Sequence, residues 1–206
     1  MTSQISSVVD IIRTHGKERS GHVALIESTH SCTWGQLYAR ASQVANGLWA
    51  AGVGVQDRVA FLDKNSIEHF EVFYGCALIN AVAVDVNWRL APQEVEYIVN
   101  DCEARVFITS KSQTAVVEKL IGKIPSIEQC FMLDGVIPGF ESFEDAAGTM
   151  PTTQITDEST GSSMLYSSGT TGRPKGVLKP LPENGFGEDA GPNIFALLYG
   201  TTEESI

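Results

Sequence analysis

Hydroxyl side chains, glycines and two cations are concentrated in one short run of the sequence, residues 166–177. Glycines permit the backbone conformations that turn successive N–H groups toward an anion, and hydroxyls add side-chain donors. The hydroxyl residues are Ser167, Ser168, Thr170 and Thr171, and the glycines are Gly169, Gly172 and Gly176. Lys175 adds a mobile positive charge, and Pro174 fixes φ directly before it. The run therefore predicts a phosphate-binding segment.

The spacing of this segment differs from that of a Walker loop. Gly172 follows Gly169 too closely, and Gly176 comes after Lys175 rather than before it. A different nucleotide-binding fold is indicated. The alternative is a Ser/Gly/Thr-rich surface linker, which composition alone also allows.

The net charge of the chain limits which classes of ligand it can bind. The 206 residues carry a formal net charge of −11, which argues against nucleic acid or an anionic membrane as a partner. Arg173, Lys175 and Lys179 nevertheless fall within seven positions and form a local positive region. We expect an anionic ligand there.

The four cysteines and the amino terminus predict a cytoplasmic protein without a transmembrane segment. Cys32, Cys76, Cys102 and Cys130 are widely spaced, without C-x-x-C pairing, which is typical of buried thiols in a reducing compartment. The first seven residues lack the basic and apolar regions of a signal peptide. No apolar run approaches the roughly 20 residues of a spanning helix.

Hydrophobic periodicity predicts that strands and helices alternate along the chain. Thr33 is expected to cap a long helix that ends near Gly52, and Pro92 to open a helix to about Asn100. Ser66 is expected to cap a helix to about Ile79, whose apolar side carries Ile67, Phe70, Phe73 and Tyr74. A further helix is expected over 112–122. The predicted strands are His22–Glu27, Arg58–Leu62, Val82–Val86, Arg105–Thr109, Gln129–Leu133 and Ser162–Tyr166.

Strands separated by helices favour an α/β fold with a mostly parallel sheet and helices layered on both faces. Such sheets bind ligands at the carboxyl ends of their strands. The Ser/Gly/Thr segment follows the strand Ser162–Tyr166, so the pattern places it at such an end.

The run 166–177 resembles the phosphate loop of the AMP-forming acyl-CoA synthetase family, which also contains luciferases and the adenylation domains of peptide synthetases. The resemblance covers about residues 5 to 178 and includes Thr33-Trp34-x-x-Leu37 and Asp57-Arg58-Val59-Ala60. It implies part of the large N-terminal domain of the adenylate-forming enzyme fold.

A second resemblance lies near the end of the sequence. Residues 199–203 match the Tyr-Gly-x-Thr-Glu motif of the same family. By resemblance, Tyr199 contacts adenine, Thr202 hydrogen-bonds the α-phosphate and Glu203 holds Mg²⁺, with Gly200 and Thr201 between them in the binding segment. The alternative is a helix end stopped by glycine that matches by chance.

The resemblance also divides the chain. Residues 1–178 correspond to the N-terminal part of the AMP-binding domain, 179–192 form a Pro/Gly-rich loop or deletion junction, and 193–206 carry the second motif. The acyl-pocket block and the C-terminal domain with the catalytic lysine have no counterpart, so the chain is expected to be truncated or internally deleted. No catalytic residue is assigned.

In the reaction that the resemblance implies, ATP activates a carboxylic acid to an acyl-adenylate, and coenzyme A then forms a thioester with the acyl group. The family resemblance suggests that the acid is a fatty acid. Mg²⁺ offsets the phosphate charge. The expectation is that this chain alone is inactive. Two other hypotheses are a nucleotide-binding module without chemistry and a non-functional remnant with exposed sheet edges. The acid and the oligomeric state are left open.

Overall fold

The structure is a computed structural model that describes residues 7–153, 155, 162–167 and 174–178. A 3₁₀ turn, Lys111–Gln113, precedes the fifth of its helices. The described helices are α1 (Val8–Glu18), α2 (Trp34–Ala50), α3 (Ile67–Leu78), α4 (Pro92–Asp101), α5 (Thr114–Val117) and α6 (Phe143–Ala147). The described strands are β1 (Val23–Glu27), β2 (His30–Thr33), β3 (Arg58–Asp63), β4 (Val82–Asn87), β5 (Val106–Thr109), β6 (Gln129–Met132), β7 (Glu141–Ser142), β8 (Ser162–Ser167) and β9 (Lys175–Leu178).

The main sheet has the strand order β7-β6-β5-β3-β4-β8-β9. All neighbouring strands in it are parallel except β9, which runs antiparallel to β8. The predicted mostly parallel α/β sheet is therefore confirmed. Because the strands run in one direction, the ends of β3, β4, β5, β6 and β8 form one carboxyl edge.

Helices cover both faces of this sheet, as predicted. Alternate residues of β3 point to opposite faces, so Val59 and Phe61 belong to one buried cluster and Ala60 and Leu62 to the other. The first cluster contains the buried sides of α1, α2, α3 and α6. The second contains those of α4 and α5.

The helix starts follow from local capping chemistry. Thr33 Oγ1 accepts from the Gln36 backbone N–H, while the Gln36 side chain accepts from the Thr33 N–H. Ser66 Oγ accepts from the His69 backbone N–H at the start of α3, and Pro92 occupies the first turn of α4. These three predicted starts are confirmed.

Two predictions about helices were wrong. The helix expected over 112–122 is reduced to the 3₁₀ turn and the single turn of α5, because Val116 and Val117 are β-branched and Gly122 has a φ of 78°. Phe70 was expected on the buried side of α3 but is 41% exposed, since α3 buries Glu71, Val72 and 74–78 instead.

The predicted first strand does not join the main sheet. β1 pairs antiparallel with β2 in a separate two-stranded sheet. The elements β2, β7, α6 and β9 were not predicted. Each of the four is five residues long or shorter, which leaves too few positions for a periodic pattern.

The four cysteines are free thiols, and Cys32, Cys76 and Cys102 are buried, as expected, whereas Cys130 is half-buried. Burial raises the pKa of Cys102 to about 11 and that of Cys130 to about 11. Both thiols therefore stay protonated at neutral pH and serve as small apolar side chains.

Candidate functional site

The described part of the Ser/Gly/Thr segment lies at the carboxyl edge of the main sheet. β8 runs parallel to β4, so Ser167 at its end lies at the same edge as the end of β4. β9 returns antiparallel to β8, and Lys175 pairs directly with Ser167. Side chains of directly paired residues lie on the same face of a sheet. Two predicted phosphate-binding residues are thus neighbours.

The other predicted site residues lie outside the described residues, so their roles remain predictions. They are Ser168, Gly169, Thr170, Thr171, Gly172, Tyr199, Gly200, Thr201, Thr202 and Glu203.

Lys175 was expected in a loop but is the first residue of β9. Residues 168–174 therefore connect two paired strands. Few sequence features indicate this strand, because Gly176 has a low strand propensity and the run that follows is short. Lys175 is exposed.

An open groove of about 500 Å³ lies at the carboxyl ends of β3 and β4. Asp63 at the end of β3, Lys64 and Asn87 at the end of β4 line one part of it, and Trp88 and Arg89 line another. A second depression of about 340 Å³ shares Asp63 and Lys64 with the first and extends past the end of β5. The carboxyl edge is therefore indented along several strands, as expected for a ligand-binding edge.

Two cationic side chains lie over the indole ring of Trp88 in this groove. The Arg89 guanidinium carbon is 4.2 Å from the centre of the ring, and Lys64 Nζ is 5.1 Å from it. Both distances are within the range of a cation–π contact. The groove thus has an aromatic surface with positive charge at its margin, although Asp63 and Asp85 also line it.

A histidine–aspartate pair forms another part of the groove. His69 Nε2 lies 2.7 Å from Asp85 Oδ1, and the His69 ring stacks on Phe61 at 4.7 Å. Within the described part of the chain, the buried Nδ1 atom has no hydrogen-bond partner. The pair places an imidazole and a carboxylate side by side at the groove. Sequence spacing does not indicate this pair, because Asp85 is 16 positions from His69, on the next strand.

Metal-binding chemistry is not found in the residues that the structure describes, where no group of three His, Cys, Asp or Glu side chains is placed to hold an ion. The predicted metal ligand, Glu203, lies outside those residues. In the same part of the chain, no helix is both long enough and apolar enough to cross a membrane.

The comparison with protein families identifies the fold's relatives. A family model described as AMP-binding enzyme matches residues 12–180. The chain belongs to the AMP-binding enzyme family. The extent agrees with the sequence resemblance over about 5 to 178, and the matched residues include α2 to β9 and the groove.

Curated AMP-binding relatives are ligases of several acids. The chain is 35% identical over 150 residues to a long-chain-fatty-acid–CoA ligase of Thermus thermophilus, covering 72% of this chain and 28% of that protein. It is 34% identical over 161 residues to a 3-hydroxybenzoate–CoA/4-hydroxybenzoate–CoA ligase of Thauera aromatica, covering 75% and 31%. The chain thus spans about a third of the length of the curated relatives it matches.

Solved AMP-binding structures have the same fold. A crystal structure of an anthranilate–CoA ligase in complex with anthranoyl-AMP matches with a TM-score of 0.77 and 34% identity, covering 84% of this chain and 34% of that one. A Mycobacterium tuberculosis fatty acyl-CoA synthetase matches with a TM-score of 0.72 and 25% identity, covering 86% and 35%. The predicted adenylate-forming fold is confirmed.

Proposed function

We propose that this chain supplies the ATP-binding part of an AMP-forming acid–thiol ligase. In that reaction a carboxylate oxygen attacks the α-phosphorus of ATP, and the bond to pyrophosphate breaks to give an acyl-adenylate. The sulfur of coenzyme A then attacks the acyl carbon and displaces AMP. The observation that carries the proposal is the pairing of Ser167 with Lys175 at the carboxyl edge, inside the region that matches the family.

The first group of binding residues would hold the β- and γ-phosphates. The Ser167 hydroxyl donates a hydrogen bond, and the Lys175 ammonium, on the adjacent strand, offsets negative charge. Residues 168–172 complete this set with hydroxyls and glycine amides. Holding charge in a fixed geometry, rather than forming a covalent enzyme intermediate, is the contribution we assign to the protein.

The second group belongs to the Tyr-Gly-x-Thr-Glu segment. Tyr199 would contact the adenine ring, Thr202 would donate to the α-phosphate, and Gly200 and Thr201 would lie along the nucleotide. The Glu203 carboxylate is a suitable ligand for Mg²⁺, whose chemistry here is to neutralise phosphate charge.

The acid is proposed only as a class. Relatives are named for long-chain and medium-chain fatty acids and for hydroxybenzoates. These names share a hydrophobic body attached to a carboxylate. We propose a hydrophobic carboxylic acid, with a fatty acid as the first to test.

The 206-residue chain by itself is proposed to bind ATP without turnover, since it matches about a third of its relatives' length. Titration calorimetry with ATP tests binding, and a coupled assay for pyrophosphate tests turnover with a fatty acid and CoA. Binding without pyrophosphate release is expected. Steady-state pyrophosphate release would overturn the claim of inactivity, and failure to bind ATP would overturn the nucleotide assignment.

A further inference from the structure

The end of β8 has little support from the main sheet. β8 pairs with β4 only through Ser162–Met164, which lie opposite Val82–Val84. Among the described residues, 165–167 pair only with β9. β9 is the outermost described strand of the sheet, and its Val177 is 55% exposed. Backbone pairing alone therefore leaves Ser167 and Lys175 on a projecting two-strand ladder.

The side chain of Tyr166 connects this ladder to α4. The Tyr166 hydroxyl donates a hydrogen bond of 2.6 Å to Asp101 Oδ2. Tyr166 also packs against the buried cluster that contains Val95, Ile98 and Val99 of α4. The residue directly before Ser167 is thus fixed to a helix whose apolar side is fully buried.

Gly176 allows this arrangement. A Cβ atom on Gly176, which pairs with Tyr166, would lie 3.0 Å from Tyr166 Cζ and 3.1 Å from its hydroxyl oxygen. It would also lie 2.0 Å from Met164 Cε. The tyrosine ring therefore lies across a position of β9 that has no side chain, and this contact holds the two strands together near Ser167 and Lys175.

The placement of Asp101 is not explained by the stability of α4. Asp101 is the last residue of that helix, where a carboxylate is unfavourable because the helix macrodipole is negative at its carboxyl end. Two phenols donate to it instead: Tyr166, and Tyr97 at 3.4 Å from Oδ1. Burial and the hydrogen bond to Asp101 raise the pKa of Tyr166, so this phenol remains a donor at neutral pH.

We propose that Asp101 is a positioning residue for Ser167 and Lys175. Its carboxylate holds the Tyr166 hydroxyl and thereby fixes the end of β8 and the start of β9. This inference rests on the proposed function, in which both residues contact the phosphates of ATP. Binding groups held by supporting hydrogen bonds lose less freedom when a ligand binds, so the contact raises affinity without touching the nucleotide.

Three variants test the contact in the 206-residue chain. Tyr166→Phe removes the donor, Asp101→Ala removes the acceptor, and Asp101→Asn keeps an acceptor oxygen while removing the charge. We expect Tyr166→Phe and Asp101→Ala to weaken ATP binding about tenfold by calorimetry, because each loses one hydrogen bond to a charged group. Asp101→Asn should bind ATP within about threefold of the wild-type affinity. Tyr97→Phe is the matched control and should change affinity less than about twofold.

Two further readouts separate positioning from general stability. Asp101→Ala loses the bond to Tyr166 but also removes an unfavourable charge from the end of α4, so its thermal midpoint should fall less than that of Tyr166→Phe at similar affinity. A purely structural role would instead lower the midpoint and the affinity in step in both variants. Amide hydrogen exchange at Ser167 and Lys175 should become faster in Tyr166→Phe and Asp101→Ala. Wild-type affinity in both variants, or an Asp101→Asn variant as weak as Asp101→Ala, would overturn the proposal.

The exchange measurement also keeps the two proposals distinct. If the wild-type chain does not bind ATP, the proposed function fails, and exchange alone decides the role of Asp101. Faster exchange at Ser167 and Lys175 in the two variants would then still support positioning. Unchanged exchange would overturn it.

Discussion

Ser167 and Lys175 are direct partners in the antiparallel ladder of β8 and β9. A hydroxyl donor and an ammonium are thereby adjacent at the carboxyl edge of a mostly parallel sheet. Their separation is set by backbone hydrogen bonds rather than by the side chains themselves. A phosphate group that contacts one of them is therefore within reach of the other, and each should contribute to nucleotide affinity.

Replacement of Ser167 with alanine removes one hydrogen-bond donor to the phosphates. We expect ATP affinity to fall about threefold to tenfold, the usual effect of a single hydrogen bond. Calorimetric titration measures this change. Ser163→Ala, on the same strand but away from its end, is the control and should bind ATP as the wild type does. Equal losses in both variants would show that β8, and not the hydroxyl, is responsible.

His15 should make the stability of the fold depend on pH. It is 5% exposed and lies beside Trp34, with ring centres 4.9 Å apart, and neither of its nitrogens has a hydrogen-bond partner among the residues that the structure describes. Burial, followed by the positive charge of Arg19, lowers the pKa of His15 below its usual 6.5. Between that lowered pKa and 6.5 the unfolded chain binds more protons than the folded one, so acid favours unfolding there.

The contribution of neutral His15 to the free energy of unfolding is therefore fully present above pH 6.5. It decreases as the pH falls toward the lowered pKa of His15, by about 1.4 kcal/mol for each unit of pKa shift. Urea unfolding at pH 7.5, 6.5 and 5.5 measures it. His15→Leu should reduce the loss in this range, whereas His22→Leu, at an exposed position, should leave it unchanged. An unaltered pH dependence in His15→Leu would contradict the prediction.

Arg40 joins three helices and should be important for stability. Its Nε lies 3.2 Å from Glu71 Oε2 on α3, and its Nη2 lies 2.9 Å from Glu144 Oε2 on α6. Glu71 is 6% exposed, and burial raises its pKa even though Arg40 opposes that shift. Removal of Arg40 would leave this carboxylate buried without its cation.

We expect Arg40→Met to lower the free energy of unfolding by about 2–4 kcal/mol, and the double variant Arg40→Met/Glu71→Leu to recover most of it. Lys123→Met is the control, because its contact with Glu96 at 3.9 Å is more exposed and should be worth less than about 0.5 kcal/mol. Urea denaturation measures all three. Additive losses in the double variant would contradict a coupled pair.

Gly75 sets the close packing of α2 on α3. A Cβ atom at Gly75 would lie 2.6 Å from Val44 Cγ1 and 3.3 Å from the Ala41 carbonyl oxygen. Gly75→Ala should therefore lower the free energy of unfolding by about 1–3 kcal/mol despite the better helix propensity of alanine. Gly21→Ala, where an added Cβ contacts nothing, is the control. Partial recovery in Gly75→Ala/Val44→Ala would confirm the clash, and full wild-type stability of Gly75→Ala would refute it.

The architecture could be predicted from the sequence because local signals agree with the tertiary fold. Thr33 and Ser66 cap helices through bonds to residues three positions away, and the buried strands are continuous apolar runs. The Ser/Gly/Thr segment could be placed at the carboxyl edge because it directly follows the strand β8. These signals need only neighbouring residues, which the sequence shows directly.

The remaining features depend on contacts between distant residues. Lys175 is in a strand only because β8 provides a partner. The strand β9 has only four residues, one of them a glycine, so its sequence has no periodic pattern. The bond between Tyr166 and Asp101 joins positions 65 residues apart, and that between Arg40 and Glu144 joins positions 104 apart. No spacing rule in a single sequence reports such pairs.

The most direct test of the account is the affinity of the 206-residue chain for ATP after loss of the Lys175 charge. We expect Lys175→Ala to weaken binding about tenfold or more by calorimetry, with a loss that shrinks as ionic strength rises. Lys119→Ala, which removes the same charge from an exposed turn after α5, should bind ATP with the affinity of the wild type. Equal affinities in wild type, Lys119→Ala and Lys175→Ala would contradict the assignment of the β8–β9 ladder to the phosphates of ATP.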